Sequence, residues 1–158
     1  MSGFYLLDLT AAFDTVDHEL LLRRLDRSFG VRGQAKQWLI SYLTGRLYCV
    51  IHGGRTSSVI QVTCFVPQGS VLGPPLFILY TADLAELAST FGVKLHAFAD
   101  DNQLHVHCDL SNVLSSVNAL EQCVTAISCW MSANRLKLHA EKTELMWAGT
   151  KCNVASHL

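Results

Sequence analysis

The sequence predicts an α+β fold, a largely antiparallel sheet with its helices packed on one face. Three observations carry that expectation. Residues 4–9 form a short, nearly continuous apolar run, the pattern of a buried central strand. Two stretches read as β-hairpins, one about Gly53 and Gly54 and one about Asp100, Asp101 and Asn102. Val113, Val117, Leu120, Val124, Ile127 and Met131 recur at steps of four and three, an apolar stripe along one long helix. That spacing also fits a coiled coil, but over too short a length, so packing on the sheet is the reading taken. The 158 residues are half apolar and only 16% charged, which suits one domain with a real core and excludes disorder.

The elements follow in order. The strand at 4–9 ends beyond Asp8, so an acid emerges at a sheet edge. Asp14 and Asp17 precede Leu21, Leu22, Leu25 and Phe29 at helical spacing, and Gly30 supplies the stop, so both acids read as helix-starting residues. Residues 34–43 read as a second helix, and 48–51 with 59–63 as the strands of the first hairpin. Residues 66–73 are a turn-rich loop feeding one helix from Pro74 to about Ala88, since proline in a first turn sacrifices no intrahelical bond. Residues 93–99 and 103–107 form the second hairpin, with two adjacent carboxylates at its tip. The long helix follows, and then short strands at 135–138 and 143–147.

Charge and cysteine content narrow the function. A net charge of -1 gives no global basic signal, so any contact with nucleic acid must be local. Seven Lys and Arg lie between positions 23 and 55 against the single acid Asp26, a local balance of +6. The six cysteines have no C-x-x-C pair, which fits neither a zinc framework nor a secreted disulfide scaffold. His105, His107 and Cys108 form an H-x-H-C cluster, read as a strand with histidines on one face. No secretory signal is visible, and the cell interior is the default. The uncharged stretch 56–82 is interrupted by Pro67, Pro74 and Pro75, so no membrane segment is expected.

If the two strands are neighbours, Asp8 converges with Asp100 and Asp101. Clustered carboxylates repel unless divalent cations neutralise them, and oxygen-only ligands suit Mg2+. Paired metals then serve phosphoryl transfer. Acidic pairs are also ordinary turn composition, so the acids alone leave both readings open.

Four strings resolve the choice: LDLTAAFD at 7–14, VPQGSVLGP at 66–74, FADD at 98–101 and NRLKLHAEKTE at 134–144. In order and spacing they resemble successive palm motifs of reverse transcriptases, and the chain from about 4 to 149 resembles those of non-LTR (LINE-type) retrotransposons. The resemblance implies a polymerase palm-like fold and RNA-directed DNA polymerase activity on an RNA or DNA template with primer and dNTPs. It implies two Mg2+ ions, Mn2+ being an alternative, held by Asp8, the Leu9 carbonyl, Asp100 and Asp101. Phe13 matches the bulky residue that crowds a ribose 2′-OH, and Gln68 and Gly69 match the loop lining the nucleotide pocket. Lys142 matches the lysine that protonates the leaving pyrophosphate.

The resemblance also implies a palm fragment over 1–158, with the fingers truncated and the thumb and endonuclease absent. That arrangement leaves apolar surface exposed. It opens a second expectation, a catalytically inactive retroelement remnant or co-opted nucleic-acid-binding module; a standalone two-metal nuclease would use similar acids. Departures from the family pattern are Phe65 for a usual Gly, Pro75 for Leu, Phe98 for Tyr and His139 for Asn. Phe65 is the one expected to strain the backbone, if its position needs a glycine angle.

Overall fold

The computed structural model describes residues 2–139 and 144–148. They group into two compact units, Met1–Ala12 with Thr81–Leu158, and Phe13–Tyr80.

In the first unit β1 (Ser2–Leu7), β6 (Lys94–Phe98), β7 (Asp101–His107) and β8 (Glu144–Ala148) form an antiparallel sheet of order β6-β7-β1-β8. The apolar run at the start of the chain is thus an inner strand, flanked by β7 and β8. Alternation divides the sheet. Leu7, Leu104 and Val106 are buried on one face, beneath α4 (Asp83–Ser89) and α5 (Val113–Ala133). Phe4, Leu6, Gln103 and His105 point the other way, to a half-exposed face. The helices contribute Leu84, Ala88, Leu120, Cys123, Ile127 and Met131 to the core. Each fully buried Leu or Ile there contributes about 1.5–3 kcal/mol. Of the stripe drawn from the sequence, Leu120, Ile127 and Met131 are buried, with Cys123 added, while Val113, Val117 and Val124 are half-buried.

The second unit contains α1 (His18–Phe29), α2 (Gly33–Leu43), four two-residue strands and most of α3 (Gly73–Thr81). Asp17 caps α1, its carboxylate accepting from the Leu20 N–H at 2.9 Å, worth about 1 kcal/mol. Gly30 ends the helix with φ 66°. Asp14 does not share the capping role; it lies on a short 3-10 turn, Ala12–Asp14, and accepts from Gln68 Nε2 at 3.1 Å. The core here is Val16, Leu21, Leu25, Leu43, Val66 and Phe77.

The structure departs from expectation in three elements. The first hairpin is split into an inner pair, β3 (Ile51–His52) with β4 (Arg55–Thr56), and an outer pair, β2 (Leu47–Tyr48) with β5 (Ile60–Gln61). Between the pairs the Val50 N–H goes to the Ser57 hydroxyl at 2.9 Å, so a side chain takes the place of a ladder bond. The helix expected from Pro74 to Ala88 is two helices, α3 and α4, separated at Ala82, whose backbone stays helical at φ -56°, ψ -32°. Nothing in the residue types explains that break. Residues 135–138 make no strand, only an isolated antiparallel bridge between Leu9 and Leu138. No helix among the described residues is long and apolar enough to cross a membrane.

Candidate active site

Antiparallel register fixes where the acids stand. Leu7 lies opposite Asn102, and Asp8 follows the one as Asp101 precedes the other, so both acids stand at the same end of the sheet and line one hollow. Phe98 faces Asp101 from the other side. Because the pleat alternates, Asp8, Asp101 and Phe98 share the open face with Leu6, Gln103 and His96 of the row below. These six residues, together with Leu7 and Asn102, line an open hollow of about 510 Å3 at the end of the sheet.

The second hairpin turns more tightly than expected. Its loop is Ala99 and Asp100 alone, with Asp101 already on β7. Ala99 takes φ 55°, the positive angle that a type II′ loop requires at its first position and that an L-residue adopts only with strain. The turn is braced from within: Asn102, 2% exposed, donates from Nδ2 to the Asp100 carbonyl at 3.0 Å. Asn102 was not singled out as a site residue from sequence, although its place directly after the acidic pair in FADDN was the available signal.

The first acid is braced through its backbone. The Leu9–Leu138 bridge is closed by flanking groups, the Thr10 N–H donating to the Lys137 carbonyl and the His139 N–H to the Asp8 carbonyl, both at 2.8 Å. His139 acts here through its N–H, so a side-chain departure at this position leaves the brace intact.

Asp8 and Asp101 are thus brought to one hollow, while Asp100 sits on the adjoining turn and is not part of the lining. Among the described residues no three His, Cys, Asp or Glu side chains stand close enough to hold one ion. The donor set nonetheless fits a hard divalent cation in kind: two carboxylates, all-oxygen donors, with room beside them. Lys142 lies outside the described residues.

The remaining candidates belong to the second unit. The Val66 N–H donates to the Phe13 carbonyl at 2.8 Å, tying two of the recognised strings together. The Phe13 ring packs on Phe77 with centroids 5.3 Å apart and is half-buried, so it has a packing role in its own right. Gln68 leans on Asp14. Gly69 has φ 76°, and at Gly73 an added Cβ would stand 3.1 Å from the Pro67 carbonyl, so the loop is shaped for glycine at both positions. Phe65 has no left-handed backbone angle, contrary to the strain expected there. Its carbonyl meets His18 Nε2 at 2.8 Å and its ring lies against the His18 imidazole.

The histidine cluster is part of the open face. His105 stacks on Phe4 at 4.8 Å, and His107 Nδ1 meets Ser2 Oγ at 2.8 Å. Desolvation, with help from His107 and Lys94, lowers the His105 pKa below the usual histidine value.

A helix-backed antiparallel sheet with acids at one strand end and at the neighbouring hairpin is the fold of palm-type polymerases. Among solved structures, telomerase from Candida albicans in complex with the TWJ fragment of telomeric RNA shares it, with TM-score 0.71 at 12% identity over 94% of this chain and 28% of that one. The chain belongs to the reverse transcriptase (RNA-dependent DNA polymerase) family, which it matches over residues 2–154. Its relatives are RNA-directed DNA polymerases of non-LTR retrotransposons. The polymerase from mobile element jockey of Drosophila funebris is 31% identical over 89% of this chain. The probable polymerase from transposon BS of Drosophila melanogaster is 30% identical over 87%. The chain spans 16% and 15% of those two proteins. Reverse transcriptases generally use divalent metal ions.

Proposed function

We propose that this chain is the palm portion of an RNA-directed DNA polymerase, transferring deoxynucleotidyl groups to a primer 3′-OH on a nucleic-acid template. The observation that carries the reading is the shared hollow of Asp8 and Asp101 beside the Asp100 turn. In the reaction, a bond forms between the primer 3′-oxygen and the α-phosphorus of a dNTP, the bond to pyrophosphate breaks, and the hydroxyl proton is lost.

Asp8, the Leu9 carbonyl, Asp100 and Asp101 are the groups assigned to hold divalent cations. A pair of Mg2+ ions, or Mn2+, would supply a lowered hydroxyl pKa and charge neutralisation for the triphosphate. The protein's own contribution is placement. The Asn102 and His139 braces hold the two acid-bearing segments before substrate arrives, so less ordering remains to be done on binding. Gln68 and Gly69 are assigned to the nucleotide loop, Phe13 to exclusion of the ribose 2′-OH, and Lys142 to protonation of the leaving pyrophosphate.

The test is primer extension on an RNA template with Mg2+ or Mn2+, comparing the native chain with Asp8→Asn and Asp101→Asn after all three are shown to be folded. Extension that falls at least a hundredfold in both variants supports the assignment. Extension that survives them refutes it. Cleavage of nucleic acid without dNTPs points instead to a nuclease. A folded chain that binds primer-template without extending it belongs to the binding-module reading.

A further inference from the structure

Between Arg27 and Ala82 the chain contains no Asp or Glu, while it carries Arg27, Arg32, Lys36, Arg46 and Arg55. The same stretch exposes large apolar side chains: Trp38 is 54% exposed, Leu47 70%, Tyr48 58% and Ile60 60%. On α2 the rings of Trp38 and Tyr42 are stacked with centroids 5.5 Å apart and only 9° between their planes. The Arg46 guanidinium lies 5.6 Å from the Tyr42 centroid and is pinned there by two hydrogen bonds to the Tyr42 carbonyl, at 3.0 and 2.8 Å. Trp38 and Tyr42 stand one turn apart on α2, and Arg46, three residues past the end of the helix at Leu43, comes back to the Tyr42 ring and carbonyl, so indole, phenol and guanidinium form one cluster. Beside it, Arg46, Leu47, Tyr48 and Ile60 line a hollow of about 600 Å3, with Asp14 also on its wall.

We propose that the Trp38–Tyr42–Arg46 cluster is a stacking platform for an unpaired nucleotide, and that Arg46 and Arg55 of the adjoining hairpin meet the backbone of the same single strand. The chemistry selects this occupant. A nucleobase is a flat π system that stacks on the half-exposed indole, and its phosphates complement Arg46 and Arg55, since Arg32 and Lys36 are engaged by Asp26. A paired duplex presents no open base face to such a platform. The inference shares its nucleic-acid partner with the polymerase reading but uses none of the acids, so the two fail separately.

The experiment is fluorescence anisotropy of a labelled twelve-nucleotide single-stranded RNA titrated with the full chain, followed in parallel by tryptophan emission. Variants are Trp38→Ala, Trp38→Phe and Arg46→Gln, with circular dichroism to establish folding. Trp38→Ala is expected to weaken binding about tenfold, the effect of losing one base–aromatic stack. Trp38→Phe should retain most of the affinity, and Arg46→Gln should weaken binding and flatten its salt dependence. Binding should quench emission in the native chain and much less in Trp38→Ala, and unlabelled duplex should compete poorly. The proposal is overturned if the native chain does not bind, if Trp38→Ala binds as tightly as the native chain, or if duplex competes equally. It is also overturned if Trp38→Ala converts oligomer to monomer without altering RNA affinity, which assigns the patch to self-association.

Discussion

Gly69 separates two reasons a glycine can be required. Its φ of 76° lies in the left-handed region, yet no heavy atom stands within 4 Å of the place a Cβ would occupy. Gly69→Ala should therefore cost about 1 kcal/mol through backbone strain alone. Asn tolerates that region better than a β-branched residue, so Gly69→Asn should cost less and Gly69→Val more. The urea midpoints of the three variants check that order; losses that rise with side-chain volume instead, Asn above Ala, would mean that steric crowding, not φ, sets the requirement. At this scale residue type was a partial guide. Asp17 as a cap was legible, because a capping carboxylate acts within three residues. Phe65 was misread, because a backbone angle at one position depends on the surrounding chain. Asn102 was missed because its burial is decided by strand alternation in a sheet whose register only the fold supplies.

Helices α1 and α2 are joined by one carboxylate. Asp26 on α1 receives Lys36 Nζ at 2.6 Å and Arg32 Nε at 2.9 Å. The hydrogen bond from Lys36 is the larger cause, and that from Arg32 the next, of an Asp26 pKa below its ordinary 3.8. A carboxylate with a depressed folded-state pKa binds protons less readily than its unfolded form. Its contribution is thus present above pH 3.8 and is lost as pH falls through the lower folded value. Asp26→Asn should be less stable than the native chain at pH 7, with the gap closing below pH 3.8 and narrowing in high salt. Urea melts at pH 7 and pH 3 test this; a gap that persists at pH 3 would assign the effect to packing. The element order was legible because periodicity is local. The split first hairpin was not, since it depends on the hydroxyl of Ser57 capturing the Val50 N–H.

Across the whole molecule, the sheet and its acid-bearing end followed from the apolar runs and the recognised strings, while Lys142 lies outside the described residues. Burial also grades chemistry at this scale. The Cys123 thiol, fully buried in the core, is pushed up to about 11 by desolvation, whereas Cys49 and Cys129 are exposed. Iodoacetamide at pH 8 should modify Cys49 and Cys129 within minutes and reach Cys123 only after denaturant is added. Peptide mapping of the alkylated chain reads the outcome; early modification of Cys123 would mean that the α5 face opens readily.

The strand order β6-β7-β1-β8 also sets a timetable for synthesis. The inner strand β1 is synthesised well before its partners: Leu7 waits for Asn102, and Leu6 for Glu144. Residues 13–80 can collapse in the interval, because their pairings are nearer in sequence. An apolar strand held open until its partners are made is an open template for the same strand on a neighbouring nascent chain. Slowing elongation after residue 80 should therefore lower the yield of folded protein, and a chaperone that shields extended apolar segments should restore it.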